Sequence, residues 1–324
     1  MQEKDIKIDA IVAKPGQKTQ GYLTVGEMQD GNPMRLPVAI INGAAAGPLL
    51  YIQAASDGNE LNGIAVIQAV LRKIEPSRLR GGIIAVPLVN YHAFHAKQTS
   101  SPVDGKKMNR CFPGKADGSS SERIAYHLFN QAVKQAKYCI DLHQGGVYPM
   151  IDEVRVRVGK EDSQHKACLE LARVFGIGYI LDEKGADGQL ARAAPAEGIP
   201  TIDPELGGCH GWDSKSIAKG ISGVENVLKY YGFIEGEPVI PERQVVVDNF
   251  TKVMNNRGGF VRYLAQLYDQ IETDQPIAEI LDVFGDPVEV IKSPKPGVFW
   301  SKNLYPMVAS GESIGTIGIN VTYV

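Results

Sequence analysis

Leu49-Leu50-Tyr51-Ile52-Gln53-Ala54-Ala55 runs into Ser56-Asp57-Gly58-Asn59-Glu60-Leu61-Asn62, and Ile64, Ile67, Val70, Leu71 and Ile74 then repeat at helical spacing. This stretch decides the fold class. A short apolar run closed by turn residues reads as a buried strand. The repeat after it predicts an amphipathic helix over about 62–74. Residues 83–90 form a second apolar run, so the unit is strand, helix, strand.

The alternation continues downstream. Ser119 and Glu122 have capping-box spacing at the start of another helix. A strand over 138–142 ends at His143. Helices over about 162–175, 190–197 and 214–231 then separate strands at 179–181 and 200–202. Such alternation predicts βαβ units and a largely parallel sheet. Upstream, residues 37–55 lack charge and have the length of a membrane span. Asn42-Gly43 and Gly47-Pro48 are turn pairs, so two buried strands around a turn are read there instead. Residues 21–25 alternate like edge β structure. From Asn90 to about 118 the chain reads as one long loop, and loops of that length are commonly functional. After about 236 only short β-type runs recur, at 244–247, 259–263, 277–281, 288–291, 298–300 and 317–323. The expected division is a catalytic domain over 1–236, with an N-terminal β segment, and a small all-β domain over 237–324.

Composition narrows the function classes. The chain has 324 residues, 44% hydrophobic and 22% charged, an ordinary globular balance. Its net charge of −3 offers no basic surplus for nucleic acid. Cys111, Cys139, Cys168 and Cys209 are scattered, with no CxxC pair, which suits buried thiols in a reducing cytoplasm. Met1-Gln2-Glu3-Lys4-Asp5 lacks the apolar stretch of a secretory signal. These features predict a cytoplasmic protein with no nucleic-acid or membrane partner. The open edges of a β domain favour a homo-oligomer.

Polar residues gather where strands end, the place where α/β sheets carry ligands. Asp57 and Glu60, three residues apart at a strand-to-helix turn, can aim two carboxylates at one point, and His143 closes another strand. Two carboxylates and an imidazole make a metal-ligand set with a fourth position open to water. By spacing alone the same residues also fit a helix cap, Asp57, and a first-turn acid, Glu60. Asn109-Arg110, late in the long loop, suits a substrate carboxylate or is an ordinary surface pair. Glu205 follows an apolar strand, where a carboxylate can become a base or a turn cap. His92 and His95 read as exposed loop histidines. Cys209-His210 offers a thiol with no base and orienter to pair with. There is no Walker loop, GxSxG elbow or dinucleotide fingerprint.

Taken in order, a set of motifs adds to this reading. They are Asn42-Gly43 to Gly47-Pro48, Asp57 to Gly63, Val86-Pro87 with Val89-Asn90, Pro102 to Gly114 and Asp141-Leu142-His143. Gly198-Ile199-Pro200, Pro204 to Gly208, Arg257 to Phe260 and Phe284-Gly285-Asp286 follow. Over about residues 37–320 the sequence resembles the succinylglutamate desuccinylase/aspartoacylase family, a branch of the zinc carboxypeptidase clan. The resemblance implies a carboxypeptidase-like three-layer α/β/α fold with a mixed central sheet. It also implies hydrolysis of a small N-acyl amino acid or related carboxylate-bearing amide. On it, Glu60 and His143 fall on the second and third metal-ligand positions. Asn109 and Arg110 fall on the pair that holds the substrate carboxylate, and Glu205 on the general base.

Two positions depart from the family pattern. Its first metal motif reads His-Gly-Asp/Asn-Glu, and here Asp57 stands in place of the histidine. The implied cofactor is one divalent metal per chain on Asp57, Glu60 and His143, zinc by resemblance, or manganese or magnesium given the oxygen-rich set. Two carboxylates offset the charge of such an ion and weaken it as a Lewis acid. Many members also carry an oxyanion-stabilising arginine ten residues before the Asn-Arg pair. Thr99 stands there instead, with Lys97 nearby. The two departures open a second reading, a non-catalytic small-carboxylate-binding protein on the same scaffold, with Asp57 as a helix cap.

Overall fold

A computed structural model describes residues 4–145, 148–209 and 211–324; Met1–Glu3, Gly146, Val147 and His210 lie outside the described residues. The chain opens with β1 (Ile6–Ile8), β2 (Ile11–Ala13), β3 (Gln17–Glu27), β4 (Pro33–Asn42) and β5 (Ala45–Ala54). Next come α1 (Asn62–Lys73), β6 (Arg80–Val86), α2 (Tyr91–Ala96), α3 (Ser120–Gln131), β7 (Tyr138–Leu142) and β8 (Glu153–Val156). They are followed by α4 (His165–Phe175), β9 (Tyr179–Asp182), α5 (Leu190–Ala196), β10 (Thr201–Glu205) and α6 (Ser214–Tyr230). The remainder is β structure: β11 (Val245–Val247), β12 (Asn249–Met254), β13 (Gly259–Tyr263), β14 (Gln270–Ile271) and β15 (Pro276–Leu281). It ends with β16 (Pro287–Lys292), β17 (Gly297–Lys302), β18 (Met307–Val308), β19 (Ser313–Ile319) and β20 (Thr322–Tyr323).

Ten strands form one sheet in the order β20-β11-β9-β8-β10-β7-β5-β6-β4-β3. The central four, β6, β5, β7 and β10, are parallel. β8 runs antiparallel to β10 and starts a second parallel group, β8, β9 and β11, so the sheet is mixed. Helices α1, α4 and α6 cover one face, where Val66, Ile67, Val70, Leu171, Phe175, Val224 and Val227 pack on Ile52, Ile140, Val154 and Ile202. Burial of each such side chain contributes about 1.5–3 kcal/mol. Helices α3 and α5 cover the other face through Ile124, Leu128, Phe129, Leu190 and Ala194. The result is a three-layer α/β/α arrangement.

Two antiparallel four-stranded sheets, β12-β19-β17-β14 and β16-β15-β13-β18, enclose a separate core of Val253, Val261, Ile277, Ile280, Phe299, Ile314 and Ile317. The seam with the large sheet is continuous. β11 and β20, placed by sequence in the C-terminal part, both join the ten-stranded sheet. Val245-Val246-Val247 is apolar throughout, so its sequence suits either sheet. Beside them, Ile151 donates its N–H to the carbonyl of Trp300 (3.0 Å), and Lys302 donates to that of Pro149 (3.0 Å).

Several elements were not anticipated. The expected long loop contains α2, capped by Asn90, whose Oδ1 accepts from the N–H of Ala93 (3.2 Å). It also contains a 3-10 turn, Met108–Arg110. A six-residue helix is too short to display a periodicity. β8 was missed because charged residues alternate with valines where an apolar run was sought. No helix among the described residues is long and apolar enough to cross a membrane.

The segment that carries Asn109 is fastened to the start of α3. Asp104 accepts from Ser121 N–H (2.8 Å) and Oγ–H (2.9 Å). Glu122 accepts from Ser119 N–H (2.9 Å) and pairs with Lys106 (2.9 Å). Those contacts, the backbone one first, hold the Glu122 carboxyl down at about 2 from an ordinary 4.5. A depressed carboxylate stabilises the fold above its unfolded pKa and stops doing so as pH falls through its folded one. Glu122→Gln is therefore expected to be less stable than wild type at neutral pH, with the gap closing from about pH 4.5 to about pH 2. Urea midpoints of both proteins across that range measure it.

Candidate active site

Strand alternation supplies most of the site. Along β7, Ile140 and Leu142 enter the core under α1, α4 and α6, while Asp141 and His143 face the other way. β10 repeats this with Ile202 in the core and Asp203 and Glu205 on the site face; β8 does so with Val154 and Val156 against Glu153 and Arg155. The β7–β10 ladder runs on through the site. His143 N–H donates to the carbonyl of Pro204 (2.8 Å), and Leu206 N–H donates to that of His143 (2.9 Å). His143 and Glu205 thus stand side by side.

The β5–α1 turn closes over this row. Glu60 Oε2 accepts from Gln144 N–H (3.1 Å) and lies 2.9 Å from His143 Nδ1. Gln144 in turn caps α1, its Oε1 accepting from the N–H groups of Leu61 (3.0 Å) and Asn62 (3.2 Å). The helix therefore takes its cap from the far side of the site. Asp57 makes no side-chain cap, and Glu60 precedes the helix instead of lying in its first turn. Below them, Asp141 Oδ1 accepts from Gln53 Nε2 (2.9 Å) and Ser56 Oγ (3.1 Å). His143 Nε2 lies 3.3 Å from Asp141 Oδ2 and 3.4 Å from Asp203 Oδ1.

Asp57, Glu60 and His143 each present one ligand atom, all within 4.8 Å of one another, and Asp141, His143 and Asp203 form a second such trio. Among the described residues, Asp57 Oδ1, Asp141 Oδ2, Asp203 Oδ1 and Glu205 Oε2 are buried without a hydrogen-bond partner. Burial pushes the Asp57 carboxyl up, and pushes Glu60 to about 8 and Asp203 to about 6, with His143 pulling all three down. Burial works against a charged His143, yet Asp203, Asp141 and Glu60 more than offset it and hold the imidazole well above its ordinary value.

The other expected residues divide. Asn109 is buried, with Nδ2 3.4 Å from His143 Nε2. Arg110 is exposed and its guanidinium donates to the carbonyl of Asn109. Glu205 Oε1 accepts from Arg155 Nη1 (2.7 Å). Thr99 Oγ1 donates to Asn59 Oδ1 (3.3 Å), and Lys97 is exposed at the C-cap of α2. His92 is buried on α2, not in an exposed loop, and burial lowers its pKa. Cys209 is exposed, whereas the other three cysteines are buried; its neighbour His210 lies outside the described residues. Sequence reading missed Asp141 and Asp203 as neighbours of the imidazole, and Glu153 and Arg155 altogether. The period-2 alternation of Glu153-Val154-Arg155-Val156-Arg157-Val158 was the available signal.

Comparison with known proteins adds to this geometry. The family model described as the succinylglutamate desuccinylase/aspartoacylase catalytic domain matches residues 46–231. An N-alpha-acetyl-L-2,4-diaminobutyric acid deacetylase of Halomonas elongata is 28% identical over 292 residues, covering 87% of this chain and 85% of the relative. The product-bound ectoine utilization protein EutE (DoeB) of Ruegeria pomeroyi superposes with a TM-score of 0.81 at 22% identity, over 94% of this chain and 95% of that one. A succinylglutamate desuccinylase of Silicibacter sp. TM1040 gives 0.83 at 22% identity, over 99% and 100%. These two structures share the fold.

Gly58 lets the β5–α1 turn sit directly on α2. A Cβ there would lie 2.2 Å from the carbonyl carbon of Ala93 and 2.2 Å from the amide nitrogen of Phe94. Both are backbone atoms of a capped helix, so Gly58→Ala is expected to destabilise by about 1–3 kcal/mol, as overpacking does. The loss would appear as a lower urea midpoint.

Proposed function

The chain belongs to the succinylglutamate desuccinylase/aspartoacylase family, and on that premise we propose that it is a metal-dependent hydrolase. It cleaves the amide bond of a small N-acyl amino acid. The observation that carries this reading is the convergence of Asp57, Glu60 and His143 within 4.8 Å, next to a carboxylate, Glu205, with one buried oxygen unengaged. Two carboxylates and an imidazole are donors that suit a divalent cation, and the buried, unpartnered Asp57 Oδ1 fits one. When bound, such an ion supplies Lewis acidity to a water and to the scissile carbonyl.

The protein's own groups do the rest. A proton on His143 Nε2, facing Asp141 and Asp203, leaves the Nδ1 lone pair on the side of Glu60. Glu205 takes a proton from the attacking water and returns it to the leaving nitrogen as the C–N bond breaks. Asn109 and Arg110 hold the substrate carboxylate, Arg110 turning away from the Asn109 carbonyl to do so. The matched deacetylase makes acetyl the first acyl group to try. A carboxylate-binding protein without turnover is the weaker reading. It made Asp57 a helix cap, and α1 is capped by Gln144.

Turnover of a panel of N-acyl amino acids, with elemental analysis of the same preparations, tests the proposal. Wild type is expected to hold one divalent metal per chain and Asp57→Ala to lose it. Glu205→Gln is expected to keep the metal and lose about 10²–10⁴-fold in rate, the usual share of a general base. Full activity in Glu205→Gln would overturn its role, and a metal-free, active wild type would overturn the metal dependence.

A further inference from the structure

Glu205 is held from outside the ligand turn. β8 lies antiparallel beside β10, with Arg155 opposite Asp203 and Glu153 opposite Glu205. Arg155 is thus diagonal to Glu205, within reach of a long side chain on the same face. Its Nη1 meets Glu205 Oε1 at 2.7 Å, while its Nε and Nη2 meet Glu153 Oε1 at 2.8 and 2.7 Å. Glu153 Oε2 accepts from the indole Nε1–H of Trp300 at 2.9 Å. Glu153 and Trp300 are fully buried, and Trp300 belongs to β17 of the C-terminal β unit. A chain of charge-assisted contacts therefore leads from that unit to the proposed base.

We propose that Arg155 is the positioning residue of Glu205. It engages Oε1 and so leaves Oε2, buried and unengaged, as the oxygen that accepts and returns the proton; Glu153 and Trp300 hold the guanidinium in place. The inference rests on the reading of Glu205 as general base. A guanidinium suits this task because its rigid fork meets two carboxylates at once, which an ammonium on a flexible stem does not reproduce. Arg157, next on the same face, points to Glu183 (3.4 Å) and Gln189 (3.5 Å) and leaves Glu205 to Arg155.

The test compares Arg155→Lys, Arg155→Ala and Trp300→Phe in the full chain. A displaced base costs rate more than binding, so Arg155→Lys is expected to lower kcat about 10²-fold, with KM and metal content unchanged. Trp300→Phe, which keeps an aromatic ring in the core but removes the pyrrole ring with its N–H, should lower kcat about 10-fold. Ethylguanidinium should restore part of the activity of Arg155→Ala, which a merely structural arginine would not show. Folded Arg155→Lys and Trp300→Phe with wild-type kcat would overturn the inference while leaving Glu205 as base. An activity-independent arm decides even if no amide is cleaved: in a crystal structure of Arg155→Lys, the Glu205 carboxylate should rotate. A Glu205 carboxylate unmoved there overturns the inference, whereas a wild type without hydrolysis overturns only the reading of the site as a hydrolase.

Discussion

Like charges packed side by side away from water are the constraint to which the rest of this structure answers. Asp57, Glu60, Asp141, Asp203 and Glu205, each less than a tenth exposed, surround the single imidazole of His143. Repulsion between such groups grows as water is removed. The fold offsets it locally: Gln53 and Ser56 serve Asp141, the Gln144 amide serves Glu60, and Arg155 serves Glu205. Even so, four of the five keep a buried oxygen without a partner among the described residues. A site built this way is over-supplied with negative charge for its own protons and guanidinium, which is why a divalent cation is the natural complement in the proposed reading.

The sheet makes that crowding affordable by anchoring each strand from below. Ile140 and Leu142, Ile202, and Val154 and Val156 bury one face of β7, β10 and β8 against α1, α4 and α6. Only residues of the opposite parity are left to chemistry. Register does the remaining work. A one-residue slip of β10 would send Glu205 into the apolar core and Pro204 into the site. The His143–Pro204 and Leu206–His143 hydrogen bonds prevent it. The C-terminal β unit contributes to the same order from the side, through the Ile151–Trp300 pairing and the indole contact with Glu153.

Much of this was legible in the sequence where one periodicity dominated. The strand over Tyr138–Leu142 and the helix beginning at Asn62 followed from apolar spacing alone. Strand ends then directed attention to Asp57, Glu60, His143 and Glu205, which the fold does bring together. What stayed hidden was hidden for physical reasons. β8 carries Glu153 and Arg155 on its site face, and a strand buried between two layers normally advertises itself by an apolar run. The capping of α1 by Gln144 joins residues more than 80 positions apart, beyond the reach of any local rule. Trp300 fell only within the short β-type run 298–300, and it is the tertiary structure that aligns its N–H with Glu153.

Asp57 and Thr99 pose one problem, not two. A cation facing two carboxylates retains less charge than one facing a carboxylate and two imidazoles, so it polarises a carbonyl less. The burden of stabilising a developing oxyanion then shifts to hydrogen-bond donors, and losing one such donor typically costs about 10²–10³-fold. Thr99 is bound to Asn59, and the guanidinium of Arg155 is engaged by two carboxylates. Asn109 and Arg110 remain on the adjacent turn, and Lys107 lies near enough to pull the Asp57 carboxyl down. On the proposed reading, that turn must serve both ends of the substrate: the carboxylate that identifies it and the carbonyl that reacts. The fastening of the loop to α3 through Asp104 and Glu122 then sets how accurately the donors meet the cluster, and the Met108–Arg110 turn becomes part of the chemistry as well as of recognition.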